Sequence, residues 1–173
     1  MPTRVGQTTR LLVAVSTTVV VACGGKEPCP GVVEGASYEV AVGPQAPTKE
    51  PTNCQQEWGI ADGSTFTARV KALEGDGACL AGVAEIENLE GWSLEEDTTE
   101  ATGDALLEGF YAGSFGSCSA LVSVMLDRDE ALPCFEDASK TTDECLLTLL
   151  LQPQSAGCPS PCTAFLTTTV TRR

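Results

Sequence analysis

Apolar and polar residues alternate with a period of two through much of this 173-residue chain, and that pattern constrains the fold more than any other feature. Successive side chains of a strand point to opposite faces, so the alternation calls for strands with one buried and one solvated face. Tyr38, Val40 and Val42 alternate with Ser37, Glu39 and Ala41; Phe66, Ala68, Val70 and Ala72 alternate with Thr65, Thr67, Arg69 and Lys71. Further strands are expected around 80–88, 106–112, 119–127, 145–151 and 163–171, with an eighth across 92–95. Runs such as Thr167-Thr168-Thr169-Val170 favour strand because β-branching restricts χ1 in a helix. A helix within 95–108 is weakened by Gly103 and the threonine pairs. Turn chemistry separates the runs, as in Gly43-Pro44, Asp62-Gly63 and Cys158-Pro159-Ser160-Pro161-Cys162, the last closing a hairpin between the two final strands. The expectation is an all-β fold, an antiparallel β-sandwich of seven to eight strands.

Ahead of the strands lies a different kind of segment. Arg4 and Arg10 are the only charges before an apolar run, 11–22, softened by Ser16, Thr17 and Thr18. Such an order of charge and apolarity is that of a secretory signal. Twelve residues span only about 18 Å as a helix, short of a hydrocarbon core of about 30 Å. No Arg-Arg pair precedes the run, so export of an unfolded chain is expected, with folding outside the cytoplasm.

Val20-Val21-Ala22-Cys23 resembles the lipobox of bacterial lipoprotein precursors, in which a small residue precedes an invariant cysteine. The resemblance covers residues 1–23 only. It implies that the Cys23 sulfur takes a diacylglycerol, that cleavage follows before Cys23, and that two or more acyl chains then hold the protein on a membrane. Gly24, where aspartate would imply inner-membrane retention, favours the outer membrane of the cell envelope. Val20 and Ala22 also suit ordinary cleavage after Ala22, which would leave a secreted protein.

Cysteine parity separates these readings. The chain has nine cysteines, and setting Cys23 aside leaves Cys29, Cys54, Cys79, Cys118, Cys134, Cys145, Cys158 and Cys162, which can pair completely. Four disulfides suit an exported domain. Cys134 with Cys145 and Cys158 with Cys162 are the expected pairs, because each flanks a turn-like loop. Zinc is disfavoured by the lack of paired C-x-x-C elements. The resulting domain plan is a signal peptide at 1–22, lipidated Cys23 and tether at 23–35, and one domain at 36–173.

Charge narrows the partners. Only Arg4 and Arg10 of the 10 basic residues precede Cys23, leaving eight against all 24 acidic ones, a formal balance of −16. Nucleic acid, which demands a basic footprint, is disfavoured. Between Lys71 and Arg128 there is no basic residue, while 12 acidic ones run from Glu74 to Asp127. Solvation of the surface is the plainer reading of that run, since no calcium loop of EF-hand order occurs in it. The chain has no histidine, so Ser-His-Asp and Cys-His nucleophiles cannot be built. Ala112-Gly113-Ser114-Phe115-Gly116 approaches a G-x-S-x-G elbow but reads as a small-residue turn. No catalytic residue, metal or cofactor is expected. Trp58 and Trp92 are candidates for packing beside a disulfide or for sugar contact. The expectation is a non-enzymatic, membrane-anchored structural or protein-interaction module with an unidentified envelope partner; the alternative is a lipoprotein that binds a carbohydrate or cation.

Overall fold

The computed structural model describes residues 26–47, 49–50, 52–75, 78–98, 105–127, 134–137 and 139–173. The signal segment and Cys23 lie outside the described residues. Eight strands follow one another: β1 Ser37–Gln45, β2 Thr65–Glu74, β3 Ala81–Glu87, β4 Trp92–Thr98, β5 Ala105–Phe115, β6 Cys118–Asp127, β7 Thr142–Pro153 and β8 Cys162–Arg172. A single helical turn, α1 (Cys54–Glu57), sits between β1 and β2.

The strands form one sheet in the order β3-β2-β1-β8-β7-β6-β5-β4, with an additional β3–β5 pairing. That pairing corrects the sandwich expectation: seven strands close into a barrel, and the buried faces meet around one ring instead of across two sheets. Every neighbour in the ring is antiparallel except β3 and β5, which run parallel through Gly82↔Leu107 and Val83↔Glu108. The parallel pair follows from the chain path. β4 turns back outside the ring and flanks only the second half of β5, from Thr98↔Phe110 to Trp92↔Phe115, so β3 and β5 meet pointing the same way. Alternation dictates one buried face per strand; it is silent on whether that face closes on itself.

Inward positions carry the apolar halves of the alternating runs. Tyr38, Val40 and Val42 of β1, and Phe66, Ala68 and Val70 of β2, are buried, as are Leu147, Leu149 and Leu151 of β7 and Val122, Val124 and Leu126 of β6. Side chains of this size fill a barrel of seven strands. Where bulk would not fit, glycine appears. A Cβ on Gly109 would stand 2.1 Å from the Tyr111 hydroxyl, and one on Gly82 would stand 2.6 Å from Leu107. The Tyr111 hydroxyl donates to the Ala84 carbonyl, tying β5 to the stretch of β3 that lies beyond the two-residue parallel ladder.

Each end of the barrel is closed by loops. At the end where β1 begins, Cys29 and Val32 are buried, the Cys29 amide donates to the Leu80 carbonyl at 2.9 Å, and the Leu80 amide donates to Glu27 at 2.9 Å. The stretch read as a tether is therefore laid onto the barrel from Glu27 onward. Phe135, fully buried with φ of 52°, meets Tyr38 edge to face at 6.0 Å. At the opposite end α1 and Trp58 cover the opening. The β5–β6 connection there is the two-residue turn Gly116-Ser117, with Phe115↔Cys118 paired and Gly116 at φ of 59°. Ala112 to Phe115, read as a turn, are strand residues of β5.

Candidate functional site

All eight cysteines after Cys23 form disulfides, two at each end of the barrel. Cys29–Cys79 and Cys134–Cys145 staple the end where β1 begins; Cys54–Cys162 and Cys118–Cys158 staple the other. The Cys134–Cys145 pair is the one that loop flanking suggests. Cys158–Cys162 is a correction. Cys162 opens β8 and reaches the helical turn at Cys54, while Cys158 lies in the β7–β8 loop against the start of β6, where its sulfur sits 3.4 Å from the Ser119 carbonyl. Each cysteine is held by a different neighbouring element, and proximity in sequence loses to proximity across the barrel end.

The two tryptophans differ in burial, Trp92 being half-buried. Trp58 is fully buried, donates its indole N–H to the Ser160 carbonyl at 3.2 Å, and stacks on Trp92 at 5.7 Å. Trp92 stacks in turn on Phe115 at 5.5 Å. The three rings join α1, β4 and β5 and pack beside the Cys54–Cys162 bridge. The Trp92 indole N–H is buried with no hydrogen-bond partner among the described residues. Phe115, which spacing alone did not single out, completes the stack; Gly59 and Gly91 leave room for its ring.

The described acidic residues between Lys71 and Arg128 are dispersed over several strands. Glu85 and Glu87 sit on β3, Glu95 on β4, Glu108 on β5 and Asp127 on β6. Glu85 pairs with Lys71 at 3.4 Å. Glu108 is only 1% exposed and folds back on its own strand, its Oε1 accepting the Ala105 amide at 3.1 Å next to the bulge. Asp127 accepts the Thr148 hydroxyl. Among the described residues no group of three or more Cys, Asp or Glu could hold a metal ion. What the run supplies is a negative exterior and local backbone caps.

Three described groups titrate away from their ordinary values: Asp137, held low by the Ser139 hydroxyl and amide, Asp143 and Tyr38. Partial burial alone would raise the Asp143 carboxyl, but hydrogen bonds from the Lys140 ammonium, the Phe135 amide and the Glu144 amide outweigh it and hold it below the usual range. Burial pushes the Tyr38 phenol up, against the lowering effect of the Val33 amide. Tyr38 donates to the Gly31 carbonyl at 2.6 Å, so the phenol fastens the entering chain to the barrel floor. Asp143 and Tyr38 are structural ties.

One surface stands apart. On the outside of β5, β6 and β7, a groove of about 230 Å³ is lined by Phe110, Leu121, Ser123, Leu150 and Gln152. Leu121 is 36% exposed, and the Ser123 hydroxyl is buried there with no hydrogen-bond partner among the described residues. The chain matches no protein-family model, no curated protein and no solved structure. The groove and the aromatic stack must therefore be read from their own chemistry. The groove is a shallow apolar trough; the stack runs from the buried Trp58 outward through the half-buried Trp92 and Phe115. Neither brings a nucleophile, a base and a charge-stabilising donor together.

Proposed function

We propose that this chain is an exported bacterial lipoprotein, anchored through Cys23, whose disulfide-stapled barrel serves as a non-enzymatic structural or protein-interaction module of the cell envelope. The observation that carries the interaction reading is where apolar surface remains. Among the described residues the barrel interior is lined by buried apolar side chains, Trp58 is buried and Trp92 half-buried in the stack, and the external groove around Leu121 is an apolar opening. Side chains from a protein partner fit such a trough better than a sugar does, because sugar recognition needs an open ring with polar groups converging beside it.

Support for the anchor comes from the Val20-Val21-Ala22-Cys23 motif and from the even number of cysteines left after it, all of them paired. Four disulfides belong to an oxidising compartment. Gly24 after Cys23 favours the outer membrane over the inner one.

The anchor is tested by growing cells with an alkyne fatty acid: the wild type takes up label and Cys23→Ser does not, while a labelled Cys23→Ser protein would contradict it. The interaction reading is tested by crosslinking the anchored protein in its own envelope. Wild type is expected to give a discrete crosslinked species that Leu121→Glu loses. A species retained unchanged by Leu121→Glu would rule out the groove, and the absence of any crosslinked species would oppose the interaction reading.

A further inference from the structure

We infer that the barrel stands on the membrane by the end stapled through Cys29–Cys79, with Val33 at the lipid headgroups and the Trp58–Trp92–Phe115 end pointing away. This orientation rests on the proposed anchor at Cys23.

Chain length carries the argument. Glu27 is already bonded to Leu80, and Cys29 is bridged to Cys79 and buried. Glu27 is only the fourth residue after Cys23, a span of at most about 14 Å when fully extended. The strands of the ring are 7 to 12 residues long; at about 3.3 Å per residue and a tilt of about 40°, the longer ones give a barrel height of about 25 Å. A tether shorter than the barrel, attached at one end, holds that end closest to the acyl chains.

One exposed apolar side chain at the tethered end suits that contact. Val33, 46% exposed, is there, directly before the turn into β1. So are Arg69, opposite Ser37, and Lys71 two residues on. Arg172 pairs opposite Tyr38, the Arg173 amide donates to the Ser37 carbonyl, and Lys26 and Lys140 complete the ring. These are six of the seven described basic residues; the seventh, Lys49, lies over Phe165 on the flank. Carboxylates outnumber these six at the tethered end: Glu39, Glu85 and Asp143 pair with Arg173, Lys71 and Lys140, and Glu27, Glu34, Glu136, Asp137 and Glu144 are exposed at the same end. The orientation therefore rests on the short tether and on Val33, not on charge.

The native tryptophans make the test direct. The lipidated protein is reconstituted in vesicles of neutral lipid that carry a dansyl acceptor on the headgroups. Trp58 and Trp92, at the far end, are expected to transfer little energy, whereas Val33→Trp is expected to raise transfer severalfold. Flotation of the vesicles reports the anchor separately: protein that fails to float refutes the lipoprotein reading. Floating protein whose native tryptophans transfer as strongly as Val33→Trp refutes the orientation.

Discussion

At the scale of single residues, the clearest forces are those that tie loops to the barrel ends. Asp143 accepts from Phe135, Lys140 and Glu144 and so holds the loop closed by Cys134–Cys145 in place. Because its folded pKa is depressed, its contribution is present above the ordinary carboxylate value of about 3.9 and fades as pH falls through the folded value. Asp143→Ala is expected to lower the unfolding free energy by about 1–3 kcal/mol at neutral pH, and to make the acid limb of a stability-versus-pH curve shallower, as read by urea unfolding from pH 7 to 2. A variant as acid-sensitive as wild type would remove Asp143 from that account. Phe135 at the same loop was not legible in sequence. Nothing in Cys134-Phe135-Glu136 announces a left-handed phenylalanine that fills the floor beneath Tyr38, since the position is set by Cys134–Cys145 and Gly31, not by local preference.

Among the elements, the strands were the most legible part, because period-two burial is a local property of each run. Tyr38/Val40/Val42 and Phe66/Ala68/Val70 point inward as their alternation requires. What alternation does not encode is partner choice. β7 is apolar on both faces, with Leu146 buried outside the ring and Leu147 inside it, a pattern equally at home in a sandwich or a barrel. Closure depends on four residues of the β3–β5 seam, Gly82, Val83, Leu107 and Glu108, and on the Tyr111 hydroxyl at Ala84. Tyr111→Phe leaves the Ala84 carbonyl without that donor and is expected to cost about 1–3 kcal/mol. Amide exchange should then accelerate across residues 84–87 more than in β7; uniform acceleration, or none, would argue against a seam fastened at this point. The aromatic stack shows the same limit: Trp58 and Trp92 were recognisable as packing candidates, whereas their meeting with Phe115 depends on β4 folding back along β5.

Across the whole molecule, the staples divide the work by the length of chain they close. Cys54–Cys162 spans 108 residues and Cys134–Cys145 spans 11. Constraint of the unfolded chain gives about 4.7 kcal/mol for the longer loop and about 3 kcal/mol for the shorter. Replacing both cysteines of the longer bridge by alanine should therefore destabilise more than replacing both of the shorter, by chemical denaturation under non-reducing conditions; the reverse order would oppose the long-range pairing. The even number of cysteines was plain from the sequence, but connectivity was not. Cys158 and Cys162 are close in the chain, yet they serve different walls of the same barrel end. The central claim is that this chain closes into a single barrel. Backbone nuclear Overhauser contacts across the parallel seam test it most directly. A closed ring predicts cross-strand contacts of Gly82 and Val83 with Leu107 and Glu108 alongside those joining β1 to β8 at Tyr38 and Arg172. Contacts between β1 and β8 with none between β3 and β5 would contradict closure and leave an open sheet.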